Sequence, residues 1–397
     1  MKTAGIICEC NPPHGGHARL IAEAKRKTDC VVCLLSGPFV QRGDAAILTP
    51  HARAEILLGM GADVVLELPF PYAAASAETF AAAGVSILSR LGVGELWFGS
   101  EVADPDLLSR LAATAESPAF RARYAERVTA DPTAGTAALW FSTLSEFCGL
   151  TSPLSPNDLL GVSYLRAIAA QKSAMLPRVV RREGADYADD RLPSAGLPSA
   201  SALRRAIFDG NLQDVYTFFP VFEQKIIGSE ADAGRFPLSL DRAAPAVLSF
   251  LRLSAPAALD AVADLSGGLG RRLQKASWEA VDLPSLLSRA STKKYPLSRL
   301  RRGLLFALLG VTRSDLSAPP AYVRLLALDG TGSEFLSASR RSSGIPVVTS
   351  NAGVPSDPAA LRQDDLSRRA RSLWSLCFPA PVSPADLLRE NPIVREG

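Results

Sequence analysis

The stretch Thr3-Ala4-Gly5-Ile6-Ile7-Cys8-Glu9-Cys10-Asn11-Pro12-Pro13-His14-Gly15-Gly16-His17 decides the fold. Thr3–Cys10 reads as a short β-rich run, a Pro/Gly turn follows, and a helical stretch covers about His17–Lys27. The same alternation continues down the chain. Asp29–Ser36 reads as a second strand, Thr49–Met60 as a helix after its Thr-Pro start, Asp63–Leu68 as a third strand and Ala75–Leu91 as a helix. Gly94–Phe98 is a fourth strand, Asn157–Ala170 a helix opening on an Asn cap, and Arg178–Arg182 a short fifth strand. Such alternation implies βαβ units with right-handed crossovers. The expected fold class is therefore α/β, with a Rossmann-like doubly wound parallel sheet. Ligands of such sheets bind beyond the carboxyl ends of the strands, where the Asn11–His17 turn falls.

Working outward, a helical insertion at about Pro105–Cys148 separates the fourth strand from the Asn157 helix. After about Gly210 the pattern turns helical: Leu212–Phe219, Ala244–Leu253, Leu283–Ser288 and Leu297–Leu309, with short β-like pieces at Tyr322–Leu328 and Pro346–Thr349. The reading divides the chain into a nucleotide-binding part, 1–210, with its insertion near 105–150, and a mostly α-helical part, 211–397. Leu192-Pro193-Ser194-Ala195-Gly196 has the composition of a loop.

Of the 397 residues, 47% are hydrophobic and 21% charged, which is a globular profile and leaves room for two domains. The apolar start of the chain is too short for a signal h-region. No apolar stretch approaches the roughly 20 residues that cross a bilayer. A cytoplasmic protein with no membrane partner is expected. A net charge of +3 is too small to argue for nucleic acid on its own. Six cysteines without an export signal imply reduced thiols. Cys8-x-Cys10 and Cys30-x-x-Cys33 have a metal-like look, but strand periodicity points Cys30 and Cys33 to opposite faces. Buried apolar thiols are expected there, and no metal site.

The chain has three histidines, and His14 and His17 stand three apart at a strand-to-helix turn. At that spacing they would share one face of the first helical turn. Free N–H groups and the helix dipole favour phosphate there, and Gly15 and Gly16 let it approach the backbone. Capping or metal binding explains two histidines about as well. A second segment, Ser199-Ala200-Ser201-Ala202-Leu203-Arg204, puts hydroxyls at a helix start with Arg204 one turn on, suited to the β- and γ-phosphates. Taken alone it also reads as a Ser cap beside a solvated arginine. Together the two segments suit adenylyl transfer, in which preorganised donors stabilise charge during in-line attack on the α-phosphorus.

This pairing resembles the HxGH nucleotidyltransferase superfamily, and an ordered set of motifs narrows the match. Glu9-x-Asn11-Pro12-x-His14-x-Gly16-His17 is followed by Ser36-Gly37-x-Phe39-Val40-Gln41-Arg42-Gly43. Then come Glu67-Leu68-Pro69, Phe98-Gly99-Ser100-Glu101 and Ser155-Pro156-Asn157. More thinly, Tyr295–Leu300 and Tyr322–Leu326 continue the likeness to the bacterial tRNA(Met) cytidine acetate ligases. The resemblance implies that ATP activates acetate as acetyl-adenylate and that the wobble cytidine of elongator tRNA(Met) then takes the acetyl group as N4-acetylcytidine. It implies His14, His17 and Arg204 as catalytic residues. As ATP contacts it implies Ile7, Glu9, Asn11, Gly16, Leu20, Gly99, Asn157, Arg182, Ser199 and Ser201, along with both histidines. Arg182 comes from Arg182-x-Gly184-Ala185-x-Tyr187, and Arg181 next to it fits nearly as well. Mg²⁺ is expected with the triphosphate. Pro13 and Gly15 depart from the family, which usually has an aromatic residue and Asn at those places; Ala202 replaces a common hydroxyl residue.

Arg42 lies in the Gln41–Asp44 loop, expected beside the pocket. Lys293, Lys294, Arg299, Arg301 and Arg302 form a basic cluster that suits the tRNA backbone, as do Arg340-Arg341 and Arg368-Arg369-x-Arg371; solvated helix faces explain each equally. No DNA partner is expected. His51 reads as part of a helix N-terminus, and Glu67 as a structural hydrogen-bonding residue. Two other readings stay open: adenylyl transfer to a phosphorylated cofactor precursor, and a nucleotide- or RNA-binding protein without catalysis.

Overall fold

The computed structural model describes all residues except 151, 153, 183–190, 194–195, 341–343 and 396–397. Gly184, Ala185, Tyr187, Ser194, Ala195 and Arg341 therefore lie outside the described residues. The opening run forms β1 (Thr3–Cys8) and leads into α1 (Gly15–Lys25). Then follow β2 (Cys30–Ser36), α2 (Pro50–Gly59), β3 (Val64–Leu68), α3 (Ala77–Arg90) and β4 (Glu95–Ser100). The expected insertion is α4 (Pro105–Glu116), α5 (Pro118–Ala130) and α6 (Thr136–Cys148); α7 (Pro156–Ala170), β5 (Leu176–Arg181) and α8 (Ala200–Phe208) come next.

β1, β2 and β3 pair in parallel, and β1–β4 and β4–β5 extend the sheet on its other side. β1, β2 and β3 are buried on both faces, as a parallel sheet covered by helices requires, whereas β5 at the edge is largely exposed. Alternate residues serve different cores. Cys30, Val32 and Leu34 join the cluster under α3 and α7, whereas Val31, Cys33 and Leu35 join the one under α1 and α2. Cys30 and Cys33 thus face opposite ways, and Cys8 and Cys10 lie buried beside Cys33. Among the described residues no group of three or more His, Cys, Asp or Glu side chains is arranged to hold a metal. No described helix is long and apolar enough to cross a membrane.

One sequence expectation needs correcting at α7. Its N-cap is Ser155, whose hydroxyl accepts from Asp158 N while Asp158 closes a capping box. Asn157 lies inside the first turn. Pro156 at the first helical position sets the start one residue before the Asn, because its fixed φ suits that position.

The second part is helical, with α9 (Leu212–Tyr216), α10 (Val221–Asp232), α11 (Ala244–Leu253), α12 (Pro256–Asp260) and α13 (Leu269–Ser277). These lead to α14 (Leu283–Ala290), α15 (Leu297–Leu309) and α16 (Arg313–Ser317). The chain then returns to the sheet. β6 (Val323–Leu328) pairs antiparallel with β3, so the sheet is mixed, not wholly parallel. After α17 (Gly330–Ser339), β7 (Val347–Val348) pairs with β6; after α18 (Pro358–Trp374) and α19 (Pro384–Leu387), β8 (Ile393–Val394) does too. The sheet order is β5-β4-β1-β2-β3-β6-β7. Glu67 on β3 pairs with Arg371 on α18 at 2.7 Å, both buried. This confirms the structural reading of Glu67 and takes Arg371 out of the basic surface.

Candidate functional site

A cavity of about 290 Å³ opens at the carboxyl ends of β1 and β4. Its position follows from the topology. β2 and β4 flank β1, so the chain diverges to either side of β1 and leaves a crevice beyond its end. Ile7, Glu9, Asn11, His14, His17, Leu20, Gly99, Asn157, Arg182, Ser199, Ser201 and Arg204 all line it. Gly16 instead lines a smaller cleft that shares His14, His17, Leu20, Gly99, Arg182 and Ser199 with the main cavity.

His14 is not in the helix. It is the N-cap of α1, in an extended conformation, and its Nδ1 accepts from Gly16 N at 3.0 Å. His17 Nδ1 accepts in turn from His14 N at 3.3 Å, completing a capping box. The ring centroids are 4.1 Å apart. With Nδ1 accepting in both rings, a neutral imidazole must carry its proton on Nε2. Capping and phosphate binding therefore use different nitrogens of the same ring. Burial pushes the His14 pKa well down, helped by the neighbouring His17, Arg182 and Arg204; burial likewise lowers His17 to about 4. Both are neutral Nε2–H donors at neutral pH.

The second segment meets this turn. Ser199 caps α8 by accepting from Ala202 N at 3.0 Å. The adjoining arginine is not solvated, however. Arg204 Nη1 donates to the Asn11 carbonyl at 2.7 Å, and its Nη2 lies 3.4 Å from Ser201 Oγ. Burial lowers its pKa, countered by Glu9 and Asp44. Asn11 Oδ1 accepts from Ile47 N at 2.9 Å, which ties the turn to the start of α2.

On the β4–β5 side, Glu101 organises the wall. It accepts from Ser155 Oγ, from Asn157 Nδ2 at 2.7 Å and from Arg182 Nε at 3.0 Å. Arg182 crosses Gly99 so closely that a Cβ there would stand 2.9 Å from its Cγ. Arg181 turns its guanidinium to the carbonyls of Glu101 and Val102 and does not line the main cavity. Arg182 lines both the main cavity and the smaller cleft, and Arg181 lines the smaller cleft only.

The Gln41–Asp44 loop lies beside the cavity, which Val40, Gln41, Arg42 and Asp44 help to line. Gln41 N donates to Glu9 Oε1 at 2.6 Å, and burial raises the Glu9 pKa against that bond and the nearby arginines. Gly43 has a φ of 73°, and a Cβ on it would stand 2.5 Å from Arg302 N, so only glycine lets the loop meet α15 this closely. Arg301 reaches the cavity from α15 and lies 3.5 Å from Asp44. The rest of the basic cluster is dispersed. Arg302 pairs with Asp264 at 2.9 Å, Arg299 lies over Tyr295 and bonds the Asp264 carbonyl, and Lys294 also sits over Tyr295. Lys293 is exposed. Arg368 and Arg369 pair with Asp364 and Asp365 on their own helix. His51, at the second position of α2, contacts Glu390 at 2.8 Å, away from the cavity.

Sequence reasoning missed two kinds of residue. Arg53 is completely buried and donates to the carbonyls of Leu48, Glu9 (2.7 Å) and Gly37 (2.6 Å), clamping the ends of β1 and β2. Phe80, Phe98, Leu160 and Tyr164 form an apolar wall of the cavity. In sequence they are indistinguishable from core residues, because they are apolar and recur at core spacing.

The chain matches the HIGH Nucleotidyl Transferase family over residues 1–386. It is 33% identical over 401 aligned residues to the tRNA(Met) cytidine acetate ligase of Acetivibrio thermocellus, covering 96% of each chain. With the enzyme of that name from Caldicellulosiruptor saccharolyticus it is 35% identical, covering 85% of each. The crystal structure of Thermotoga maritima TmcAL in an apo form superimposes with a TM-score of 0.93 at 28% identity, over all of both chains. The form bound with alpha-thio ATP gives 0.90 at 27% identity, again over all of both chains. Fold, motif order and full-length similarity agree: this chain belongs to the tRNA(Met) cytidine acetate ligase family of HIGH nucleotidyltransferases.

Proposed function

We propose that the protein uses ATP to activate acetate and transfers the acetyl group to N4 of the wobble cytidine of elongator tRNA(Met). The observation that carries this reading is the convergence on one cavity of the His14–His17 turn and Arg204, in a chain that aligns with 96% of a relative of that name. A carboxylate oxygen of acetate attacks the α-phosphorus, and the bond to the bridging oxygen breaks as pyrophosphate leaves. The cytidine amine then attacks the acetyl carbonyl carbon, loses a proton, and AMP departs.

In the first step His14 and His17 donate through Nε2 to the α-phosphate oxygens at the start of α1, where the helix dipole adds to them. Arg204 and the Ser199 and Ser201 hydroxyls receive the charge that grows on pyrophosphate. Asn157 and Arg182, both held by Glu101, position the nucleoside side. That a relative was crystallised with alpha-thio ATP supports ATP in this cavity. Mg²⁺ would enter as part of the nucleotide substrate. Glu9 and Asp44 are the carboxylates lining the cavity, so phosphate oxygens and water would supply most of its six ligands. Arg42 and Arg301 at the cavity, with exposed Lys293 nearby along the chain, suit the phosphates around the cytidine.

The test incubates purified protein with ATP, labelled acetate and tRNA, with and without His17→Ala. Label in tRNA that requires both ATP and His17 is expected. ATP–pyrophosphate exchange indifferent to acetate would overturn the assignment in favour of another acceptor.

A further inference from the structure

One buried polar group at the cavity has no role in the scheme above. Tyr164 lies on α7, is 2% exposed and lines the cavity; its Oη has no hydrogen-bond partner among the described residues. A buried hydroxyl without a partner is costly in a folded protein, and a ligand atom is one way to satisfy it. Burial raises the phenol pKa well above its usual value, so it is a donor at any working pH. Around it the wall is apolar: Phe80 from α3, Phe98 from β4, with its ring centroid 5.6 Å from that of Tyr164, and Leu160 one turn earlier on α7.

Tyr164 comes from α7, which packs with α3 on one face of the sheet, whereas α8, which carries Arg204, packs through Leu203, Ala206 and Ile207 against Ile47 and Leu48 just ahead of α2 and Ile56 within it, on the other face. Tyr164 therefore lies across the β1 end from Arg204, which would receive pyrophosphate. In-line displacement needs its nucleophile opposite the leaving group. The nucleoside has space elsewhere, because past Leu20, Gly99 and Arg182 the cavity continues into the cleft between α1 and β5.

We propose that the α3–α7 wall is the acyl subsite, where Tyr164 Oη donates to the carboxylate of a short aliphatic acid and Phe80, Phe98 and Leu160 enclose its alkyl group. This rests on the acetate-activating reading and deepens it. It makes Tyr164 a substrate-binding residue and Leu160 a determinant of chain length.

Acetate-dependent ATP–pyrophosphate exchange, measured before any tRNA is added, tests it. Tyr164→Phe is expected to raise the KM for acetate about tenfold or more, the loss typical of a hydrogen bond to a charged group, with the KM for ATP unchanged. Its Tm should not fall, since the change removes an unsatisfied hydroxyl. Leu160→Ala should raise kcat/KM for propionate relative to acetate. A rise in the KM for ATP alone would assign the hydroxyl to the nucleoside and overturn the proposal. So would unchanged kinetics in both variants, since a purely structural tyrosine alters only Tm. Wild-type exchange that ignores acetate would instead defeat the underlying functional reading, which keeps the two failures apart.

Discussion

Arg204 Nη1 and the carbonyl oxygen of Asn11 lie 2.7 Å apart, which joins two segments separated by 193 positions. The contact fixes where the guanidinium stands relative to the His14–His17 turn. Under the proposed function, the phosphate groups meet an arginine whose position is already set. Preorganisation of this kind is where electrostatic catalysis gains most, because no reorientation is needed as charge develops.

Arg204→Ala should lower kcat for acetate-dependent ATP–pyrophosphate exchange by about 10²–10³-fold, the size seen when one preorganised donor is lost. Arg204→Lys should restore little, because an ammonium cannot span the Asn11 carbonyl and a phosphate as a fork does. Full activity in the lysine variant would show that only the charge matters.

His17 gives a pH signature. Burial lowers its pKa from 6.5 to about 4, so the unfolded chain binds a proton between those values that the folded chain does not. Stability is then fully present above about 6.5 and is lost as pH falls towards 4, by roughly 3 kcal/mol from this group. ATP phosphates beside the ring oppose the shift, so ATP binding should take up protons and tighten as pH falls from 7 to 5. Calorimetry in buffers of different ionisation enthalpy reads this directly. In His17→Asn the portion of the uptake due to this ring should vanish.

Arg53→Leu should destabilise the fold by about 3 kcal/mol or more, because it strands three buried carbonyls that the guanidinium now satisfies. Urea unfolding measures the loss. A change under about 1 kcal/mol would mean that the strand ends hold themselves in place.

Glu223, on α10, points the other way. It is completely buried, neither carboxylate oxygen has a hydrogen-bond partner among the described residues, and burial raises its pKa from 4.5 to about 8. Its contribution to stability is fully present below about 4.5 and disappears as pH climbs through 8. Glu223→Met, similar in length and uncharged, should raise Tm at pH 8.5 and much less at pH 5. Equal gains at both pH values would rule out ionisation as the cause.

The βαβ order was readable because strand and helix periods differ, and every strand from Thr3 to Arg181 was placed to within a few residues. The antiparallel docking of Val323–Leu328 on Val64–Glu67 was not readable, since a lone apolar run carries no information about its partner. At the site, His14 and His17 stand out as two of three histidines, three apart beside glycines at a strand-to-helix turn, and Arg204 because it follows the Ser199 and Ser201 hydroxyls at a helix start. Tyr164 and Phe80 do not, because their chemistry in sequence is that of core. The basic clusters were misleading in the opposite way. Arg371, Arg302 and Arg368 each look free as letters, yet pair with Glu67, Asp264 and Asp364 once the chain is folded.

Gly15 departs from the Asn usual in the family, and the structure supplies a reason: a Cβ there would stand 2.5 Å from Leu197 Cδ2. A side chain at residue 15 therefore requires the end of the Leu197 side chain, ahead of α8, to shift.

The pairing of β6 with β3 has a practical consequence for anyone who wants to handle the catalytic part by itself. A fragment ending near residue 210 would bare the whole length of β3, five residues of almost unbroken Val and Leu, as an open edge. Such an edge recruits any strand it meets, a second fragment included. Shortening the gene at the apparent boundary would therefore give a sticky product, and a soluble minimal version has to keep the return strand Val323–Leu328.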